Sequence, residues 1–195
     1  SAGIRPQDSL ARSSDLTIGE RGGIAINDDC QTTDPDIYAI GECALWNNRI
    51  FGLVGPGYTM AKSVAKHLEG TSQPFTGADM STKLKLLGVD VGSIGDAHGK
   101  TPGALSYTYE NQPESVYKKI VVSSDKKSLL GAVLVGDTSD YDTFLQYALN
   151  GIELPESPEA LILPMSDEKP LLGAGALPAT ATLCSCHNVT KQDVV

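Results

Sequence analysis

The stretch Thr33-Asp-Pro-Asp-Ile-Tyr-Ala-Ile-Gly-Glu-Cys-Ala-Leu45 constrains this chain more than any other. Asp34-Pro35-Asp36 is turn chemistry, since proline fixes φ and the flanking carboxylates accept local backbone hydrogen bonds. Ile37-Tyr38-Ala39-Ile40 is a short apolar run of the kind that forms a fully buried strand. Gly41 at its end lets a backbone pass close to a ligand, because no Cβ stands in the way. Glu42 sets an acceptor carboxylate at the same strand end, the region where open α/β sheets bind ligands. Read four residues at a time, the same string is a core strand followed by a surface acid.

The bulk numbers narrow the choice. At 195 residues there is room for one large domain or two small ones. With 41% hydrophobic and 20% charged residues the chain should bury a real core. Fifteen basic against 24 acidic residues give a net charge of −9. That balance argues against nucleic acid and anionic membrane, which are held through clustered Lys and Arg. No apolar run approaches the roughly 20 residues of a membrane span, and no basic-then-apolar leader opens the chain. Cys30 and Cys43 stand alone while Cys184 and Cys186 form a close pair, a pattern unlike a secreted disulfide scaffold. A reducing, cytoplasmic compartment is expected, which makes the Asn188-Val-Thr190 sequon incidental.

Taken in order, Gln7 to Arg12 suits a short helix and Ile24 to Ile26 a strand. Gly55-Pro56-Gly57 opens a helix running to about Glu69, with Met60, Ala61, Val64, Ala65 and Leu68 as its apolar stripe. Lys66 and His67 favour the negative end of its dipole, and Gly70 stops it. Thr71 to Gly77 is a polar Pro/Gly boundary. Beyond it, Leu84–Val91 and Ser106–Tyr109 read as strands, and Val116–Val122 with Ser128–Val135 as a hairpin. Asp137-Thr-Ser139 caps a helix that turns Tyr141, Phe144, Leu145, Ala148 and Leu149 inward and ends at Gly151. Strands followed by a terminal helix make an α+β domain. Ser166 to Thr182, rich in Pro, Gly and Ala without periodicity, reads as a linker.

Two tempting motifs fail. Gly95-Asp-Ala-His-Gly99-Lys100-Thr101 has three residues between its glycines where a phosphate loop needs four, and Pro102-Gly103 follows instead of a helix. His98 is then a loop histidine. Gly173-Ala-Gly175 lacks the third glycine, the preceding strand and the βαβ unit of a dinucleotide fingerprint. Cys184-Ser-Cys186 can converge two thiolates on one soft metal centre, but an unrelated reduced pair or part of a zinc site shares that spacing.

The opening string resembles the second FAD-contacting motif of the pyridine nucleotide-disulfide oxidoreductase superfamily, T-x-x-x-x-(I/V)-(Y/F)-A-x-G-D. It matches at Thr33, Ile37, Tyr38, Ala39 and Gly41, with Glu42 where Asp is usual. The resemblance implies that Gly41 lies against the flavin diphosphate region and that Glu42 bonds a ribityl hydroxyl. It also implies that the helix opening at Gly57 and Tyr58 aims its N-terminus at the flavin pyrimidine ring. The strand order after residue 80 resembles the small domain that follows the FAD domain in nitrite reductase large subunits and rubredoxin reductases. Cys184-Ser-Cys186-His-Asn-Val-Thr resembles the start of a 2Fe–2S domain of the bacterioferritin-associated ferredoxin type. There Cys184 and Cys186 are ligands and His187 is a neighbour.

Together these resemblances imply an internal segment of a protein of the assimilatory NAD(P)H nitrite reductase large-subunit family. The expected fold is an α/β fragment of an FAD-binding domain followed by a small α+β domain of antiparallel strands plus a helix. Residues 1–72 would complete the flavin domain, 73–165 the small domain, 166–182 a linker and 183–195 the start of the cluster domain, with the cysteine pair weakly ordered. In that family electrons pass from NAD(P)H through FAD and 2Fe–2S to a 4Fe–4S/sirohaem centre that reduces nitrite to ammonia, in some members with a small subunit. The segment by itself is expected to hold no stoichiometric flavin and to catalyse nothing. The alternatives are an electron-transfer subunit of an assimilatory nitrate reductase and a non-catalytic interaction module on a degenerate flavin fold.

Overall fold

The computed structural model describes residues 3–164, 175, 177–184 and 187–194. The chain divides into two compact units between Met80 and Ser81. The fold is the expected one: a mixed α/β piece, then an antiparallel sheet with a helix.

In the first unit, helix α1 (Ser9–Arg12) is followed by strand β1 (Ile24–Ile26), which pairs in parallel with β2 (Ala44–Trp46). Helix α2 (Val54–Leu68) follows. Cys30, Ala39, Ala44, Phe51, Met60 and Phe75 form the core between them. Phe75 meets Trp46 and Phe51 edge to face, at 5.0 and 5.5 Å between ring centroids. Burying each such ring contributes about 1.5–3 kcal/mol. Asp28 ties the cluster: its side chain accepts from Trp46 Nε1 at 2.9 Å and its carbonyl from the Phe75 N–H at 2.7 Å. These contacts, with Ala78 and Met80 also packed on the core, carry the unit past the expected end at residue 72.

Two local expectations for this unit are corrected. Ile37–Ile40 is not a buried strand; Tyr38 makes one isolated bridge to Gln31, while Ile37 and Ile40 are 38% and 41% exposed. A strand needs a hydrogen-bonded neighbour, and among the described residues this segment has no strand beside it. On α2 the inward face is Pro56, Met60 and Ser63, with Val64 at its margin, whereas Ala65 and Leu68 face outward. The stripe is rotated because Met60 and Pro56, not Leu68, lie over the aromatic core.

The second unit holds a five-stranded antiparallel sheet: β3 (Thr82–Leu86), β4 (Val89–Gly95), β5 (Leu105–Asn111), β6 (Val116–Val122) and β7 (Leu129–Val135), in the order β3-β4-β7-β6-β5. Helix α3 (Tyr141–Asn150) sets Tyr141, Phe144 and Tyr147 against Ile94, Ile120, Ala132 and Leu134, and ends at Gly151 in the left-handed region. The expected strand Leu84–Val91 is in fact a hairpin. Leu87 and Gly88 both take positive φ (50° and 86°), the signature of a type I′ turn. Leucine at such a position is costly, so the sequence disguised the turn.

Asp137 does not cap α3. Asp140 is the capping position and makes no side-chain cap; both carboxylates turn instead to Lys118 on β6, at 2.6 and 2.7 Å. Gly131 sits under the Asp96 backbone, where any Cβ would overlap main chain. Asp96 itself accepts the N–H groups of Lys100 and Thr101 and the Thr101 hydroxyl, which holds its carboxyl down to about 2. The loop that mimics a phosphate cradle is thus filled by its own carboxylate, and His98 is exposed on it.

The later part of the expected linker also differs. Leu177 and Ala181 are buried, and β8 (Thr182–Cys184) pairs with β9 (Val189–Thr190) as a hairpin belonging to the second unit. Small residues that read as flexible are also those that allow close backbone approach. No helix among the described residues is long and apolar enough to cross a membrane.

Candidate functional site

A cleft of about 490 Å³ in the first unit is lined by Gly41, Glu42, Gly57 and Tyr58 together with Ile40, Leu53, Val54 and Ala61. All four residues singled out for cofactor binding therefore meet in one place. Gly41 opens a short 3₁₀ turn, Gly41–Cys43, with φ +74°, and the space where its Cβ would stand is open for at least 4 Å. A side chain there would be both strained and in the way of a ligand. The Gly41 N–H donates to Met60 Sδ at 3.2 Å, so the helix fixes the turn from beneath. A Cβ on Gly57 would lie 3.6 Å from Gly41 Cα, which measures how closely helix and turn approach.

The head of α2 gives the cleft its polarity. Leu53, the residue before its first turn, is extended and provides no side-chain cap, and no acidic residue sits in the first turn. Val54 and Gly55 thus present backbone N–H groups at the positive end of a 15-residue helix. Pro56 has no N–H to orphan and its ring is buried. Around these donors the wall is apolar: Val54 and Tyr58 are 69% and 52% exposed, and Ile40 41%. Glu42 lies exposed at the rim. The arrangement suits a flat, largely apolar ring system that gathers negative charge at one edge, with a polyhydroxylated or phosphorylated arm passing Gly41. The residues fit the flavin expected from the sequence.

Sequence reasoning missed Leu53, Val54 and Ala61 as parts of this wall, and Met60 as the support beneath Gly41. The apolar run Ile50–Val54 ahead of Gly55-Pro56 was the available signal. Cys43, one residue beyond Glu42, points its thiol to the Ile40 carbonyl at 3.4 Å. Cys30 is fully buried, and burial, with Asp29 and Asp28 nearby, pushes its thiol up to about 11.

The expected metal ligands lie in the second unit. Cys184 ends β8, and Asn188 takes φ +52° in the turn that leads into β9. Cys186 lies outside the described residues. Among the described residues no cluster of three or more His, Cys, Asp or Glu could hold a metal ion. Cys184 by itself is not a metal site.

Comparison with known proteins matches residues 1–67 to the family described as pyridine nucleotide-disulphide oxidoreductase, and residues 81–152 to the rubredoxin NAD+ reductase C-terminal domain. The chain is 60% identical over its whole length to part of the NADH nitrite reductase large subunit of Escherichia coli, covering 23% of that protein. It is 35% identical over 97% of its length to the assimilatory nitrate reductase electron transfer subunit of Bacillus subtilis, covering 24% of it. The chain thus spans about a quarter of the length of these relatives. Among solved structures, a ferredoxin reductase from Rhodopseudomonas palustris superposes with a TM-score of 0.63 at 20% identity, covering 83% of this chain and 39% of that one. At that identity the likeness is one of fold.

Proposed function

We propose that this chain, whose residues 1–67 match the pyridine nucleotide-disulphide oxidoreductase family, is the flavin-contacting and adjoining α+β part of an NAD(P)H-dependent nitrite reductase large subunit. The observation that carries the reading is the 60% identity over the full chain, denser than a shared fold requires. In this reading the cleft would hold FAD, which would supply the change from two-electron hydride uptake from NAD(P)H to one-electron delivery.

The residues of this chain bind and polarise. Gly41 would admit the diphosphate-bearing arm close to the backbone, and Glu42 would accept a hydrogen bond from a ribityl hydroxyl. Val54 and Gly55 turn their N–H groups toward the ring edge where negative charge collects, with the helix dipole behind them. Ile40, Leu53 and Tyr58 exclude water from the ring. Cys184 and Cys186 are proposed as two ligands of a 2Fe–2S cluster, a one-electron carrier whose other ligands would come from elsewhere in the longer protein. A 4Fe–4S/sirohaem centre elsewhere in the longer protein would supply the reduction of nitrite to ammonia, in a cytoplasmic enzyme whose large-subunit relatives point to a small-subunit partner.

The match to the nitrate reductase electron transfer subunit favours a second reading, with the same flavin role but no sirohaem. The absorption spectrum of the purified full-length protein separates the two, because only the first carries sirohaem bands. The flavin role is tested by Glu42→Ala in that protein. Loss of a hydrogen bond to a charged group should cost about 1.5–3 kcal/mol, or roughly ten- to a hundredfold in FAD affinity. A variant that retains FAD through dilution as the parent does would remove Glu42 from the site.

A further inference from the structure

We propose that Asn150 is a positioning residue that docks the strand bearing Cys184 onto helix α3, so that Cys184 moves as part of the α+β domain rather than as a tethered module. Asn150 is the last residue of α3. Its Oδ1 accepts the Thr182 N–H at 2.8 Å, across 32 residues of sequence, and its Nδ2 donates to Gln146 Oε1 at 2.8 Å, one turn back on the same helix. Gln146 thereby orients the amide so that its acceptor faces β8. Thr182 stands two residues before Cys184 on the same strand.

Other contacts close around this bond. Ala181 is 1% exposed, and its carbonyl accepts the Lys191 N–H at 2.9 Å. Ala179 accepts from Gln192 at 2.9 Å, and Lys191 Nζ reaches the Leu177 carbonyl at 2.8 Å. A reciprocal cap between Thr190 and Asp193 holds the returning arm. The hairpin is therefore pinned from its own two arms and, through Asn150, from the helix. A ligand loop fixed in this way presents its thiolate at a set place on the domain, which matters wherever an electron must cross a defined distance. The inference takes its purpose, though not its geometry, from the reading of Cys184 and Cys186 as cluster ligands.

Hydrogen exchange resolved by residue tests it on the chain itself. In the parent, the amides of Thr182, Lys191 and Gln192 should exchange at least about tenfold more slowly than in an unstructured peptide. Asn150→Ala should abolish protection at Thr182 and speed Lys191 and Gln192 by about tenfold, with β6 and β7 amides unchanged. Cys184 should react correspondingly faster with N-ethylmaleimide. Asn150→Asp keeps the acceptor and should restore most of the protection, and Gln146→Ala should give an intermediate loss. Free exchange at Thr182 in the parent would overturn the proposal, as would an Asn150→Ala variant that leaves Thr182 protected. Iron binding by the longer protein is a separate readout: if Cys184→Ser leaves the iron content unchanged while the hairpin stays protected, the ligand reading fails and the docking stands.

Discussion

Replacing Lys118 with methionine should destabilise the second unit by about 2–3 kcal/mol at neutral pH. The side chain is 4% exposed, and its ammonium lies between Asp137 at 2.6 Å and Asp140 at 2.7 Å. Removing one member of a buried charge group costs about 3–5 kcal/mol, because it strands the others. Asp137 is 42% exposed, so water recovers part of that loss, and the lower figure follows. Burial would depress the lysine, but the two carboxylates outweigh it and raise its pKa; burial would likewise raise Asp137, but Lys118 and the Ser139 donors outweigh it and hold Asp137 low. A depressed carboxylate contributes stability that is present above its unfolded value of about 3.9 and lost as pH falls toward its folded one. A raised lysine contributes below about 10.4 and loses its effect as pH climbs through its raised value. The gap between parent and variant should therefore be flat from about pH 5 to 9 and narrow in acid and in strong base. Hydrogen exchange at β6 and β7 amides measures it. The triple change Lys118→Met, Asp137→Asn, Asp140→Asn should recover most of the loss, since removing a whole buried charge group is often neutral. A triple variant as unstable as the single one would mean that the charges are not what matters.

Two further outcomes follow from burial and close packing. Cys30 should resist alkylation at pH 8 while Cys43 reacts, because the Cys30 thiol is fully buried and its pKa is pushed up to about 11; comparable rates by mass spectrometry would contradict its place in the core. Gly131→Ala should cost about 1–3 kcal/mol or more, since its Cβ would overlap the Asp96 main chain and displace the whole β4 turn; an unchanged melting temperature would show that this turn yields easily.

The parts legible from sequence were those in which chemistry is written into adjacent positions. Gly41 and Glu42 stand at successive places at the end of a recognisable string, and they line one cleft with Gly57 and Tyr58. Helix α3 was legible from its closing glycine and most of its stripe, though Tyr147 and not Leu149 enters the core. What escaped depends on partners remote in sequence. Ile37–Ile40 has the composition of a buried strand, but whether a strand forms is decided by a neighbour that no local pattern contains. Asp137 looks like a cap because capping is the local use of such a residue, yet Lys118, on a strand remote in sequence, draws its carboxylate and that of Asp140 away from the helix end.

The cysteine hairpin shows the same division within a single site. The spacing of Cys184 and Cys186 is local and is legible as a pair of neighbouring thiols. The Ala-, Pro- and Gly-rich segment ahead of them was read as flexible, since those residues carry little side-chain information. Their smallness is what lets the Leu177–Ala181 backbone lie close enough for Lys191 and Gln192 to bond its carbonyls, and for Asn150 to reach Thr182 from another element. A segment poor in side chains can thus be ordered through its own main-chain groups, in which every residue type but proline looks alike as a donor. In such a place sequence identifies the reactive atoms, and only the fold identifies what holds them still.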